Sequence, residues 1–437
     1  MITAVVSIAL ILALISLGMP VGFAAGISAL LGVTVLFGDL FDARVASLVA
    51  RTSLDKMDDF LLLAIPFFLL AGRLMNTGGI TDRLFAFVSA LVRPVRGGLG
   101  HANVMASVMF AGMSGSATAD AVGLGQIEYR AMTSAGYDRR FSAGITAASS
   151  LISPILPPSI VLIAYAVQAQ VSVGALFFAA IVPGFLMALT FMAWTAYSAH
   201  RYNFPAGSKI SLGEVWRAFR GAILALMAPG IILTGIYAGM FTPTEAAAVA
   251  ALYALVITRF VYREVSWGRV LAEFRGTFID TAVIMLIIAF TSTLGVVLIR
   301  SGLPTQLASF LAGLTDSKTV LLLLLLVLWL IVGCFMAQTP AVLILTPILM
   351  PIVQQFGINE IHFGIIMTLA LTLGLLTPPV GMVLYALVRV TGLSFDELVR
   401  ASFPYCLMLV GLTIVLIIFP DLTLMLPRLL GYAAAGL

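Results

Sequence analysis

Two interrupted apolar stretches of this sequence carry the residues with the clearest capacity for chemistry. Segments 149–159 and 374–381 each contain two adjacent prolines among serine, threonine or glycine residues. Proline removes an amide donor and leaves the carbonyl one turn earlier without its helical partner. Such carbonyls, together with Ser and Thr hydroxyls, are hard oxygen ligands that suit an alkali cation. The half-helix after each break points amide donors and its positive dipole end at the gap, which favours an anion.

Two further polar interruptions supply partners for these breaks. Ser114-Gly115-Ser116 offers two hydroxyls on a backbone that can approach closely, and Gln338-Thr339 occupies a similar place later in the chain. Pairing each interruption with the break that follows it predicts two cation sites flanking one anion cavity. The predicted cation ligands are Ser114, Gly115, Ser116, Ser149, Ser150, Pro154, Gln338, Thr339, Gly374, Thr377 and Pro378. The predicted substrate contacts are Ser153, Pro157, Pro158, Ser159, Asp120, Pro379 and Gly381.

A purely structural explanation competes with this one, because proline kinks and small packing residues are common in membrane helices. One break alone would favour packing, whereas two matched breaks, each near a polar interruption, favour binding. Two acids within apolar segments have open roles. Asp120 could line the cavity or cap the outgoing helix, and Glu245 could act in transport or stabilise a helix start.

The elements that must position these residues are membrane helices. Of the 437 residues, 61% are hydrophobic and only 10% are charged, whereas soluble domains carry about 25% charged residues. Apolar runs long enough to cross a bilayer recur from end to end. The formal net charge of +4 fits basic cytoplasmic loops better than nucleic-acid binding. Cys334 and Cys406 lie in apolar segments without neighbouring ligands, which favours packing over a disulfide or metal site.

Residue pairs at one constant offset indicate that the chain contains two homologous halves. The offset is 221 in each case (280−59, 378−157 and 404−183). The pairs are Asp59 with Asp280, Pro157 with Pro378, and Pro183 with Pro404. We therefore predict a first repeat over 1–200, a polar cytoplasmic linker over 201–220 and a second repeat over 221–437.

Each repeat is predicted to contain two helices, an amphipathic segment, a third helix, a re-entrant hairpin, a proline-broken helix and a last helix. The hairpins are placed near 100–128 and 320–353, although the first arm of the second is long enough to span. In the second repeat the amphipathic segment covers 262–276 and the third helix 280–299. About five crossings per repeat would invert the second relative to the first. The predicted fold class is an all-α polytopic membrane protein with two inverted repeats.

Charge distribution predicts the orientation of this topology. With the N-terminus placed in the periplasm, most Lys and Arg residues fall in cytoplasmic loops, as the positive-inside rule requires. The first apolar segment has no charged leader and no cleavage pattern, so we read it as a retained helix. These features predict a multi-pass protein of a bacterial inner membrane.

Several motifs resemble those of the large membrane subunit of tripartite ATP-independent periplasmic (TRAP) transporters, the DctM-like family. They are spread over the whole chain, and their spacing is specific. The matching stretches are 112–120 (GMSGSATAD), 153–159 (SPILPPS), 241–247 (FTPTEAA), 343–349 (LILTPIL) and 374–381 (GLLTPPVG). One departure is Ala337-Gln338, where family members often carry an acid.

The resemblance implies a sodium-driven importer of elevator-type architecture, in which the hairpins and broken helices move. By resemblance the sodium ligands come from Ser114, Ser116 and 149–154 in one half, and from the second tip and 374–378 in the other. Sodium is the coupling ion, and no other cofactor is expected. The implied partners are a periplasmic substrate-binding protein and a small four-helix membrane subunit, expected here as a separate polypeptide.

Three other functions compete. A channel would need a continuous pore with repeated polar rings. An intramembrane enzyme would need a nucleophile–base pair or metal ligands, and no His or Cys lies near the breaks in sequence. A stand-alone sodium/divalent-anion symporter differs only in needing no binding protein. C4-dicarboxylates, sugar acids, sialic acids and keto acids all fit as substrates, and no side chain singles out one.

Overall fold

Helices account for all the regular secondary structure that the computed structural model describes, over residues 2–38, 42–204 and 211–432. The first half contains α1 (Ile2–Ser16), α2 (Val21–Phe37), α3 (Ala43–Met57), α4 (Ala64–Thr77), α5 (Ile80–Val92), α6 (Gly98–Ser114), α7 (Ala117–Val122), α8 (Leu124–Ser134), α9 (Arg139–Ser150), α10 (Ile160–Ala169) and α11 (Val173–Arg201). The second half contains α12 (Leu212–Tyr237), α13 (Pro243–Val256), α14 (Trp267–Arg300), α15 (Leu303–Leu314), α16 (Lys318–Phe335), α17 (Gln338–Gln355), α18 (Glu360–Leu373), α19 (Met382–Thr391), α20 (Phe395–Ile418) and α21 (Asp421–Leu429).

Among the described residues, 7 helices are long and apolar enough to cross a membrane. Two of them include a short non-α turn: the 3₁₀ turn Phe60–Leu63 leads into α4, and the π turn Ile257–Val261 extends α13. These spans are Phe60–Thr77, Val173–Arg201, Leu212–Tyr237, Pro243–Val261, Trp267–Arg300, Lys318–Phe335 and Phe395–Ile418.

Side-chain caps fix the starts of several helices. At α13, the Thr242 amide donates to Glu245 Oε2 at 2.7 Å, and the Glu245 amide donates to Thr242 Oγ1 at 3.3 Å. Ser394 and Glu397 form the same reciprocal pair at α20. Such capping boxes satisfy amides that have no partner inside the helix. The structure therefore gives Glu245 the helix-start role, one of the two that its sequence context left open.

The second half departs from the predicted element order at α14. The amphipathic segment 262–276 and the third helix 280–299 were predicted as separate elements, but 267–300 form one helix of 34 residues. At 1.5 Å per residue, α14 is about 51 Å long. No proline stands between Gly276 and Asp280, and the helix continues through both.

Two short helices, α5 and α15, were not among the predicted elements. They follow α4 and α14 directly, after Gly79 and Gly302, whose φ angles are +68° and +73°. Left-handed backbone at these glycines ends one helix and redirects the chain into the next. Arg73 and Arg83 lie in α4 and α5.

The two halves interlock along their lengths. Helix α4 packs on α13, α2 on α14, α9 on α20 and α10 on α17. Helix α18 is buried from Ile361 to Leu373 and forms part of the central core. The offset of 221 relates α2 to α13 and α4 to part of α14, so the α4–α13 and α2–α14 contacts are equivalent under the predicted repeat. The inverted repeats and the linker remain predictions, and residues 205–210 of that linker lie outside the described ranges.

Candidate transport site

A cavity of about 420 Å³ brings both polar interruptions and both broken helices together. Each of these four regions contributes at least one residue to its wall, and α4 and α14 complete it. The lining residues are Leu69, Gly115, Ser116, Ala117, Thr118, Pro154, Ile160, Val161, Asp280, Val283, Ile284, Ala337, Gln338, Thr339, Leu375 and Met382. We call this space the tip cavity.

The first tip is a tight turn between α6 and α7. Gly115 has φ +60°, and Ser116 caps α7 by accepting a hydrogen bond from the Ala119 amide at 3.4 Å. A Cβ added to Gly115 would lie 2.6 Å from the carbonyl oxygen of Pro158. Only glycine therefore lets this tip rest against the first break. The Ser116 hydroxyl also lies 3.2 Å from that of Thr118, so two hydroxyls meet at the cavity wall.

Asp120 ties the first hairpin to the first break rather than lining the cavity. Its side chain is 1% exposed, with one carboxylate oxygen accepting from Ser107 of α6 at 3.3 Å. The other accepts from Ser153 at 2.6 Å. Since a buried carboxylate needs hydrogen-bond donors, these two hydroxyls stabilise its position. Asp120 was predicted to contact the substrate, and the structure places it behind the cavity wall.

Hydroxyls in the first break satisfy nearby carbonyls. Ser149 and Ser150 donate to carbonyls three residues earlier in α9, at 3.2 and 2.9 Å. Ser159 donates to the Pro154 carbonyl and accepts from the Leu162 amide at 3.2 Å, which caps α10. The break is buried throughout, including its two prolines. Of the predicted residues here, only Pro154 reaches the tip cavity.

The second tip lies slightly earlier in the chain than predicted. Helix α16 ends at Phe335 and α17 begins at Gln338, so the turn consists of Met336 and Ala337. Gln338 and Thr339 belong to the first turn of α17, where both line the cavity. The Gln338 amide nitrogen donates to the Thr368 carbonyl at 3.2 Å and to the Thr372 hydroxyl, which joins this tip to α18.

The second break is held against α16 by backbone contact. A Cβ added to Gly374 would lie 2.2 Å from the carbonyl oxygen of Gly333. Next to this contact, Thr377 Oγ1 donates to the Gly374 carbonyl at 3.1 Å and lies 3.2 Å from Cys334 Sγ. The Val380 amide donates to the Cys334 carbonyl at 3.2 Å. These contacts fix the break without placing Gly374 or Thr377 in the cavity wall.

The two breaks share a backbone feature but differ in exposure. Pro157-Pro158 and Pro378-Pro379 are both cis peptide bonds. The first pair is buried, whereas Pro378 and Pro379 are exposed. Among the described residues, the predicted ligands that do not line the tip cavity are Ser114, Ser149, Ser150, Gly374, Thr377 and Pro378. The same holds for the predicted substrate contacts Ser153, Pro157, Pro158, Ser159, Asp120, Pro379 and Gly381.

Sequence reasoning missed a charged network at the cavity edge. Asp280, which lines the cavity, pairs with Arg73 of α4, and Arg73 also pairs with Glu273 at 3.4 Å. Glu273 in turn accepts from Arg269 at 3.0 Å. A Cβ on Gly276 would lie 2.4 Å from the Arg73 guanidinium, so this glycine makes room for it. An acid inside an apolar helix was the available signal, since such acids are functional candidates by default.

Helix α14 also borders a second cavity, of about 400 Å³, nearer its C-terminal end. Lys56 of α3 lies in its wall and donates to the Val167 carbonyl of α10 at 3.3 Å. The α14 residues that line this cavity are Ser292, Gly295, Val296 and Ile299. The same helix therefore forms part of the wall of two separate spaces.

Interlocked membrane-spanning helices around a cavity between two tips and two helix breaks are the architecture of a polytopic solute carrier. The sequence matches the family described as "Tripartite ATP-independent periplasmic transporter, DctM component" over residues 8–422. The chain belongs to this family, so the family and the all-α polytopic fold predicted from the sequence are confirmed. It is a multi-pass inner-membrane protein and a TRAP large permease.

Relatives of known designation match along nearly the whole chain. The chain is 40% identical to the sialic acid TRAP transporter large permease protein SiaM of Vibrio cholerae, covering 96% of this chain and 98% of that one. It is 39% identical to the 2,3-diketo-L-gulonate TRAP transporter large permease protein YiaN of Escherichia coli, covering 94% and 96%.

Two solved structures share the fold at low sequence identity. The YdaH transporter of Alcanivorax borkumensis aligns with a TM-score of 0.67 at 18% identity, covering 96% of this chain and 98% of that one. MtrF of Neisseria gonorrhoeae aligns with a TM-score of 0.58 at 14% identity, covering 94% of each. At such identities the similarity concerns the fold alone.

Proposed function

We propose that this chain imports a small organic acid that a periplasmic binding protein delivers, and that an inward sodium gradient drives this import. The observation that carries this proposal is the convergence of helix starts on the tip cavity. Helices α7, α10, α17 and α19 all begin at its wall. Each helix N-terminus presents free amide donors and partial positive charge. An anion is thereby stabilised, although no Lys or Arg among the described residues lines the cavity.

The proposed substrate class follows from the partial positive charge of the helix N-termini at the cavity and from the named relatives. Helix N-termini bind carboxylates and phosphates without basic side chains. The named relatives transport sialic acid and 2,3-diketo-L-gulonate, which are carboxylic acids rich in hydroxyl groups. We therefore place sugar acids and sialic acids first, with C4-dicarboxylates and keto acids as further members of the same class.

Sodium coupling is supported by the kind of oxygen ligand near the cavity. Ser116 and Thr118 at the first tip and Thr339 at the second provide hydroxyls in its wall. The Pro154 carbonyl in the first break accepts one hydroxyl, from Ser159. A carbonyl oxygen has two lone pairs, so this one retains capacity for a cation. The Gly374 carbonyl in the second break already accepts both the hydroxyl and the amide of Thr377. The two predicted sodium sites and the moving hairpins of an elevator mechanism are part of this proposal.

The partners we propose are those that give the family its tripartite name. A periplasmic binding protein would deliver the acid, and a small membrane subunit would complete the permease. Exposed apolar residues on α2, α12 and α14, including Phe23, Trp216 and Phe278, leave surface for lipid or that subunit. Dependence on the binding protein separates this proposal from a stand-alone symporter.

The test is uptake of a radiolabelled sugar acid into proteoliposomes that contain this chain and its small subunit. The binding protein and an inward sodium gradient are each supplied or omitted. We expect uptake only when both are present. Sodium-driven uptake without the binding protein would instead identify a stand-alone symporter, and flux without any gradient would identify a channel.

Two serine substitutions, compared in the same uptake assay, test the proposed sodium site at the first tip. Ser116→Ala removes a hydroxyl at the first tip and should weaken sodium activation of uptake. Ser309→Ala removes an exposed hydroxyl on α15, whose only described bond is to the Thr305 carbonyl, and should leave uptake unchanged. Equal sodium activation in both variants would contradict the assignment of the first tip to a sodium site.

A further inference from the structure

A third cavity, of about 700 Å³, lies between α9, α11 and α20 and shares no lining residue with the tip cavity. Five aromatic side chains line it. Phe141 and Phe204 pack with ring centroids 4.6 Å apart, and Trp194 meets the Tyr405 ring edge-on at 6.4 Å. The volume is in the range of ligand-binding pockets, which are mostly apolar with a few placed polar groups.

Polar groups in this pocket, among them those of Ser198, Tyr405 and Arg400, have no hydrogen-bond or ion-pair partner in the part of the chain that the structure describes. Ser198 is 1% exposed, and its hydroxyl forms no hydrogen bond among the described residues. A buried hydroxyl without a partner costs free energy unless a ligand or water satisfies it. Arg400 is exposed at the pocket wall, and in the described ranges no carboxylate lies within ion-pair distance of its guanidinium.

The other two charged side chains of the pocket each have a hydrogen-bond or ion-pair partner. Arg140 pairs with Glu397 at 3.1 Å. The Asp138 carboxylate accepts from the Phe141 amide at 2.8 Å and caps α9. Arg400 therefore supplies the free positive charge, which favours an anionic ligand.

The pocket lies at the level where membrane and water meet. It borders the last turns of the spanning helix α11 and the first turns of α20. On α11 and just beyond it, Tyr197 is 58% and Tyr202 66% exposed. Exposed Tyr and Trp at the end of a spanning helix mark the headgroup region of the bilayer. By the positive-inside prediction this is the cytoplasmic side.

We propose that this pocket binds the phosphate-bearing headgroup of an anionic phospholipid. Arg400 contacts the phosphate, the Ser198 hydroxyl donates to a headgroup oxygen, and the aromatic walls enclose the glycerol and the first part of the acyl chains. Basic pockets between membrane helices on the cytoplasmic side have this chemistry. Because α9 ends at the first break and α20 packs on it, the bound lipid would rest against an element that leads into the transport site.

The test measures lipid binding to the purified full chain in detergent by native mass spectrometry. Dioctanoyl phosphatidylglycerol is titrated against dioctanoyl phosphatidylcholine, and a third arm adds inorganic phosphate as competitor. We expect preferential binding of phosphatidylglycerol. Arg400→Gln should lower its apparent affinity about five-fold, since one arginine near an anionic headgroup contributes roughly that factor, and should reduce the preference for phosphatidylglycerol over phosphatidylcholine.

Two variants keep the outcome interpretable. Arg130→Gln removes another exposed arginine, on α8 and outside the pocket, and should bind phosphatidylglycerol like the wild type. Ser198→Ala removes an unpartnered hydroxyl and should fold normally while also weakening phosphatidylglycerol binding. Equal binding of the two lipids, or no change in both Arg400→Gln and Ser198→Ala, would overturn the proposal. Full displacement by inorganic phosphate would overturn the lipid assignment in favour of a soluble phosphate.

Discussion

The contact between Gly333 and Gly374 provides the sharpest test of how the second break is held. A Cβ on Gly374 would lie 2.2 Å from the Gly333 carbonyl oxygen and 2.4 Å from its Cα, whereas ordinary contacts begin at 3.4 Å. The neighbour is helix backbone and cannot rotate away. In Gly374→Ala, α16 and the break must therefore separate by about 1.2 Å (3.4 − 2.2).

This displacement should affect both stability and transport. Overpacking of this kind costs about 1–3 kcal/mol. It also pulls Thr377 and the Val380 amide away from Cys334, whose side chain and carbonyl hold the end of the break. Misplacement by about 1 Å can lower the rate of an oriented process about 100-fold. We expect Gly374→Ala to lose at least 10-fold in sodium-driven uptake and to unfold at a lower temperature.

The matched control is Gly411→Ala in the spanning helix α20, where an added Cβ meets nothing within 4 Å. Both variants are compared with wild type by proteoliposome uptake at equal protein content and by thermal unfolding in detergent. Gly411→Ala should match wild type in both assays. If Gly374→Ala also matched wild type in both, the close packing of α16 on the break would not matter, and the reasoning would be wrong.

Two further predictions concern charged groups near the cavity. Ser153→Ala leaves the buried Asp120 carboxylate with one hydroxyl donor instead of two, at a cost of about 1.5–3 kcal/mol. The unfolding temperature of Ser153→Ala should therefore fall below that of Ser309→Ala. Equal unfolding temperatures would show that the Ser153–Asp120 hydrogen bond does not stabilise the fold. Arg73→Gln leaves Asp280 unpaired at the cavity wall and should raise the KM for an organic anion by repulsion, while adding Asp280→Asn should restore it. A double variant no better than Arg73→Gln would refute the repulsion argument.

Local chemistry in the sequence predicted the parts of the site that depend on one segment at a time. Paired prolines located both breaks, and Ser114-Gly115-Ser116 located the first tip. The second tip was misplaced because Gln338, Thr339 and Pro340 were read as an interruption. Proline in a first turn is equally a helix-start signal, since its missing amide would be unpaired there anyway. Which predicted residues bind sodium or substrate stays a prediction.

The sequence could not reveal contacts that depend on distant segments. Arg73 and Asp280 are 207 positions apart, and only packing of α4 on α14 brings them together. Burial of Asp120 likewise depends on the fold, since its two hydroxyl donors come from α6 and from the first break. Spacing showed that Asp120 was an intramembrane acid but not which way its side chain points.

Helix α14 lines two cavities and so fixes the distance between them. The α14 residues that line the tip cavity centre near residue 282, and those that line the second cavity centre near residue 296. About 14 residues therefore separate the two groups. At 1.5 Å per residue that interval is about 20 Å. A solute that left one cavity and entered the other along this unbroken surface would cover about two-thirds of a hydrocarbon core of about 30 Å. Any inhibitor built to occupy both spaces at once would have to span the same 20 Å.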